Sequence, residues 1–191
     1  MKPCLYIAIA LAVLGLSCDR SAPVEAVKVE IDGLYSVELP VNLKPGYNMH
    51  PYAGLQYYDE AAGFYVMCVD DMKENLGPVR RHRIRIKGYY NFVELTVFER
   101  ADSISLIAQD NFVLDGLHVK TGDYYVSSEY WGDVYAFFYR IAVYESADYF
   151  FQLVMYMPFE DRERQVKSVD RITQSFRLLN SGGENVDGQG L

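Results

Sequence analysis

Residues 134–144 read VYAFFYRIAVY and residues 149–157 read YFFQLVMYM, with ESAD at 145–148 between them. The polar break has the length of a hairpin loop, and the two arms are apolar at almost every position. A strand that is apolar only on alternate residues needs one face covered, whereas one that is apolar throughout needs both. The pair therefore belongs in the interior of an antiparallel sheet, and helices are the expected covers.

Working outward, Tyr35, Val37 and Leu39 alternate with Ser36 and Glu38, which predicts a half-buried strand that Pro40 stops. Residues 55–58 and 64–70 flank the polar, Gly-ended segment 59–63, a second hairpin. Another strand is expected from Leu117, after the Asp115-Gly116 turn, towards Tyr130. Asn91 followed by Glu94 has the form of a capping box. Val93, Val97, Ala101, Ile104 and Ala108 then recur at helical spacing, so a helix is predicted over 92–108, although 93–97 also alternates like a strand. Val166, Val169, Ile172 and Phe176 predict an amphipathic helix over 161–175 that packs on the sheet.

The chain has 191 residues, half of them apolar, which excludes wholesale disorder and a miniature disulfide scaffold. Its 17 Tyr, 10 Phe and one Trp favour a strand-rich domain. With 18 basic and 26 acidic residues, net charge −8, it is not expected to bind nucleic acid. No repeat and no composition break marks a second domain between about residues 27 and 180. Residues 181–191 are Gly-rich and polar, and are expected to be a flexible tail.

At the other end, Lys2 precedes an uncharged, mostly apolar stretch over 3–16 that Asp19 and Arg20 close. It is shorter than the roughly 20 apolar residues needed to span a bilayer and reads as a signal peptide. The closing residues Leu14-Gly15-Leu16-Ser17-Cys18 resemble the lipobox of bacterial lipoproteins, with Gly15 where an apolar residue is usual. The resemblance implies removal of residues 1–17, acylation of Cys18 and membrane attachment in the cell envelope, with 18–26 as a lipidated tether. Ordinary secretion is the other reading of such a leader. Of the three cysteines, Cys4 leaves with the leader and Cys18 takes lipid, so Cys68 alone remains and no internal disulfide forms. In its apolar setting, residues 64–69, Cys68 reads as a small buried hydrophobe. Loss of Lys2 takes the net charge from −8 to −9.

The carboxy-terminal half, with Asp115-Gly116-Leu117, the aromatic hairpin and a last helix ending Ile172-Thr173-Gln174-Ser175-Phe176-Arg177, resembles the PsbP-like family. Tyr35-Ser36-Val37-Glu38-Leu39-Pro40 is similar to that family's first strand, so the resemblance covers about residues 30–179. The family includes the extrinsic oxygen-evolving subunit of photosystem II and bacterial lipoproteins. The resemblance implies an α/β fold of the α+β type, an α/β/α sandwich around a central antiparallel sheet. It also implies a non-enzymatic binding or assembly role. No binding residue of the family maps onto this chain, and Val41 stands where the family commonly carries Trp.

Chemical motifs are sparse. His50, His82 and His118 are scattered, and Asp70, Asp71 and Glu74 lack the pattern of a calcium loop, so no metal or cofactor is expected. There is no G-x-S-x-G elbow, S-x-x-K or phosphate loop. One basic run stands out, Arg80-Arg81-His82-Arg83-Ile84-Arg85-Ile86-Lys87. If extended, it aligns Arg81, Arg83, Arg85 and Lys87 on one face, a row suited to phosphate, sulfate or carboxylate. A guarded edge strand, or charges neutralised by the chain's own carboxylates, would give the same run. The tyrosine pairs 57–58, 89–90 and 124–125 would, in strands, point one member outward, for sugar stacking or a protein interface. The expected function is a lipid-anchored, non-catalytic binding or assembly module with an envelope protein or anionic glycan as partner. The alternative is a hydrolase of envelope material, which needs a cleft with two titratable groups in hydrogen-bond reach.

Overall fold

The structure is a computed structural model that describes residues 25–77 and 84–179. Cys18, the leader, the 181–191 tail, and Arg81 and Arg83 lie outside the described residues. The strands and helices run β1 (Ala26–Ile31), β2 (Tyr35–Pro40), β3 (Lys44–Pro45), β4 (Ala53–Asp59), β5 (Phe64–Met72), α1 (Ile86–Val97) and β6 (Ser103–Leu114). They continue with β7 (Leu117–Tyr130), β8 (Asp133–Glu145), β9 (Tyr149–Pro158), α2 (Arg162–Ser175) and β10 (Arg177–Leu178).

Seven strands form one antiparallel sheet in the order β3-β4-β5-β9-β8-β7-β6, and β1-β2-β10 form a small second sheet. After β5 the chain passes through α1 and re-enters at the far edge as β6. It then meanders back until β9 pairs with β5. Tight turns of positive-φ residues, Asp115-Gly116 and Trp131-Gly132, join β6 to β7 and β7 to β8. Trp131 at the second tip is fully exposed.

Because strand residues alternate between faces, the apolar arms β8 and β9 feed two cores. Phe138, Ala142, Tyr144, Phe151, Leu153 and Met155 face α2 and the small sheet, meeting Val169, Ile172, Phe176, Tyr35 and Val37. Tyr144 and Phe176 stack at 4.0 Å, and the Tyr144 hydroxyl donates to the Thr173 carbonyl at 2.8 Å. Cys68 is buried in this layer, and burial pushes its thiol up to about 12. On the other face Ile141, Val143 and Phe150 lie under Tyr89, Tyr90 and Val93 of α1. The sandwich expected from the sequence is thus the observed architecture.

The helix expected over 92–108 is corrected. The helix is α1, which starts six residues earlier, and Ser103–Leu114 is the edge strand β6. Asn91 and Glu94 sit inside the helix and do not cap it. The residue before α1, Arg85, makes no side-chain cap; instead the Glu145 carboxylate at the end of β8 accepts from the Ile86 N–H at 3.1 Å. A carboxylate 59 positions away in sequence thus satisfies a helix-start donor, and no local motif could reveal it. In β6 a register shift between Leu106 and Ala108 reverses which residues face which side, so the alternation of Ser103 to Leu106 does not carry through the strand. Of the segment 18–26 read as a tether, residues 18–24 lie outside the described residues, and Ala26 begins β1, paired with Pro40.

Candidate functional site

Helix α1 packs on β7, β8 and β9, while on the same face β4 and β5 carry half-buried side chains. Across this face runs one register row of Leu106, Tyr124, Tyr139, Tyr156, Tyr65 and Tyr58, each on the next strand of the sheet. Tyr124 is buried; the other four tyrosines are half-buried. Tyr139 and Tyr156 stack at 5.0 Å, Tyr156 and Tyr65 at 4.7 Å, and Tyr65 and Tyr58 at 6.2 Å, all within 16° of parallel. Stacked rings turn their π faces to one another. The row therefore presents ring edges and phenol hydroxyls outward, and sugar stacking is not what it favours. Burial pushes the Tyr156 phenol up to about 12, so it remains a neutral donor and acceptor near neutral pH.

Beside the row lies a groove of about 270 Å³, walled by Met49 and His50 on one side and Val97 of α1 on the other. Its floor includes Met67, Val154 and Tyr156. Lining residues carry no acidic or Lys/Arg side chain, so the groove suits an uncharged, largely apolar group with a few hydrogen bonds.

On the opposite face, a cleft of about 180 Å³ holds Asp123, Arg140 and Asp170. Arg140 grips Asp123 with Nε at 2.5 Å and Nη2 at 2.7 Å, and its Nη1 donates to the Asp170 carboxylate of α2. Despite burial, these carboxylates raise the guanidinium pKa further. Two titratable groups in reach is what a hydrolase would need. Here both carboxylates are engaged by one permanent cation, and no histidine lines the cleft. The arrangement clamps α2 to the sheet.

Among the described residues, those singled out from sequence do not gather. Arg85 and Lys87, expected in an extended row with Arg81 and Arg83, instead precede and open α1, so neither lies in a strand. Both are exposed. Tyr89 and Tyr90 are likewise helical and both buried, not a pair split between faces. Tyr57 and Tyr58 do diverge to opposite faces. Asp71 accepts a short hydrogen bond from the Tyr89 hydroxyl, whose pKa rises through burial and then this bond, while Asp70 points to the other core. Among the described residues no group of three or more His, Cys, Asp or Glu side chains could hold a metal ion. The tyrosine row was missed because its members are distant in sequence and meet only through strand register.

No protein-family model and no curated protein matches this sequence. Solved structures do. The Ran-binding protein Mog1p of Saccharomyces cerevisiae superposes with a TM-score of 0.57 at 10% identity, covering 82% of this chain and 96% of that one. Cyanobacterial PsbP from Synechocystis sp. PCC 6803 gives 0.57 at 12% identity over 85% and 97%. At these identities the likeness is one of fold, and it agrees with the resemblance read from the sequence.

Proposed function

We propose that this chain, which has the fold shared by Mog1 and PsbP, is a lipid-anchored, non-catalytic binding module of the bacterial envelope that docks an envelope protein. The observation that carries the reading is the half-covered sheet face, where a row of four half-buried tyrosines borders an uncharged groove. Tyrosine is enriched at interface centres because it offers large rigid area with a polar tip. One solved neighbour of the same fold is described as a Ran-binding protein, which supports docking as a use of this scaffold. Anchoring rests on Cys18 at the lipobox-like end of the leader, and the basic run holding Arg81, Arg83, Arg85 and Lys87 offers cations to an anionic group of the partner.

A photo-crosslinking residue placed at Tyr58 should trap one envelope protein in native membranes, and the same group at Arg164 of α2 should not. Equal trapping from both positions, or a glycan in place of a protein at Tyr58, would overturn the reading. Cys18→Ala should abolish lipid labelling; a mature, membrane-bound product in that variant would remove the anchor.

A further inference from the structure

Strand β6 forms one edge of the seven-stranded sheet, and among the described residues no strand pairs with its outer side. The opposite edge, β3, is blunted: it is only Lys44 and Pro45. From Ala101 to Gly116 there is no Lys, Arg or Pro. The bulge after Leu106 interrupts β6, and beyond it residues 108–114 pair regularly with β7, a stretch of about 24 Å at roughly 3.4 Å per residue. Two observations fix which amides face the opening. The two-residue turn Asp115-Gly116 makes Leu114 and Leu117 the hydrogen-bonded closing pair of the hairpin, so Phe112 and Asp110 bond to β7 while Val113, Asn111 and Gln109 turn outward. Independently, the Asn111 N–H donates to Oδ1 of Asp110 at 2.8 Å, a local substitute for the ladder partner it lacks.

An open strand edge accepts an extended chain, whose backbone supplies affinity while its alternate side chains supply specificity. Asp110 and Phe112 point to the α2 side of the sheet, where they line the 180 Å³ cleft that holds Arg140. The charged groups of that cleft are the carboxylates of Asp110, Asp123 and Asp170 and the one guanidinium. Arg140 is taken by Asp123 and Asp170, so the cleft keeps a negative excess, with Asp110 on the edge strand itself. We infer that residues 108–114 are a docking edge for an extended segment of another protein, which adds to the sheet beside β6 and places a Lys or Arg side chain in the cleft next to Asp110. The incoming carbonyl takes over the Asn111 N–H and frees the Asp110 carboxylate for that cation. Charge selects this occupant. Pairing two copies of the edge would bring Asp110 of one beside Asp110 of the other, with no cation on either strand and a net charge of −8 on each chain. The chain's own 181–191 is unsuited as well, because its charged residues, Glu184 and Asp187, are both acidic.

The test uses the full chain carrying Cys18→Ala in neutral detergent and two capped synthetic peptides, Val-Thr-Val-Lys-Val-Thr-Val and the same sequence with Glu in place of Lys. Followed by nuclear magnetic resonance, the Lys peptide should slow amide exchange at Gln109, Asn111 and Val113 and leave Asp110 and Phe112, already bonded to β7, unchanged. It should bind about fivefold or more tighter than the Glu peptide, the scale of one partly exposed charge pair, and Asp110→Asn should remove most of that preference. Asn111→Pro, which deletes an outward N–H and no bond to β7, should abolish binding of the Lys peptide. Should that variant not fold, a Lys peptide methylated on alternate backbone nitrogens carries the same test and should fail to bind. No slowing at the three outward amides, equal slowing at Asp110 and Phe112, or equal affinity for the two peptides overturns the inference. Slowing of the outward amides that appears without peptide and grows with protein concentration assigns the edge to a second copy, and overturns it too. Tyr58 lies on β4 near the other end of the sheet, so crosslinking there tests the tyrosine row separately and either idea fails without the other.

Discussion

Tyr90 of α1 and Tyr124 of β7 share a hydrogen bond, 2.8 Å between their phenol oxygens, directly against Gly122. A Cβ at Gly122 would stand 2.1 Å from the Tyr90 oxygen and 2.8 Å from that of Tyr124. This glycine is required by the close approach of a helix to the sheet, not by a turn. Gly122→Ala should cost about 1–3 kcal/mol or more through overpacking. Adding Tyr90→Phe, which deletes the nearest atom, should return part of it. Urea unfolding checks both; equal stability of Gly122→Ala and parent would show that α1 is not seated as described.

Asp123 is 6% exposed, and Arg140 supplies its two charged contacts. Arg140→Met strands that carboxylate and should destabilise by about 3–5 kcal/mol. Arg140→Met with Asp123→Leu removes both charges and should restore most of the loss. Asp170→Asn, at an exposed position, should cost at most about 1 kcal/mol. If Arg140→Met alone were harmless, the clamp would have no part in holding α2.

Alkaline pH should weaken the fold steeply. Burial raises the pKa of Tyr35, Tyr89, Tyr90 and Tyr144 above the ordinary tyrosine value, and pushes Tyr124 and Tyr156 up to about 12. Unfolded tyrosine loses its proton near about pH 10. Between that pH and the folded values the unfolded chain holds fewer protons than the native one, so stability falls as pH rises. Unfolding free energy measured from about pH 8 to 12 should be lost progressively above 10, and Tyr90→Phe should shallow the slope. A flat profile across that window would contradict the burial of these phenols.

Cys68 is fully buried, with its thiol pushed up to about 12. Labelling by a thiol reagent should follow global opening, so its rate should rise in parallel with urea-induced unfolding. Immediate labelling of the native protein would place this thiol at the surface.

Elements that pack on both faces were legible in the sequence, because burial writes itself into composition: 134–144, 149–157 and the α2 stripe all stand where expected. Edges were not. Strand β1 alternates Val27, Val29 and Ile31 with Lys28 and Glu30, yet adjoins a segment read as tether. Ile104 and Ala108 of strand β6 continue, by accident, the helical spacing of Val93, Val97 and Ala101, and the bulge after Leu106 cuts the strand's alternation short. For the candidate site, tyrosine pairing by adjacency was the wrong signal. The relevant neighbours, such as Tyr65 and Tyr156, are partners in register from strands remote in the chain, and only the order β4-β5-β9-β8-β7 brings them into line.

The exposed tip at Trp131 has an optical consequence. It holds the chain's single tryptophan, already fully in water in the native state, whereas many of the tyrosines are packed together. Tryptophan emission should therefore be red-shifted from the outset and nearly silent to denaturation, with unfolding reported by tyrosine absorbance and near-ultraviolet dichroism instead. A quenching of that one indole, when it occurs, is a local event: something has come to rest on the β7–β8 turn.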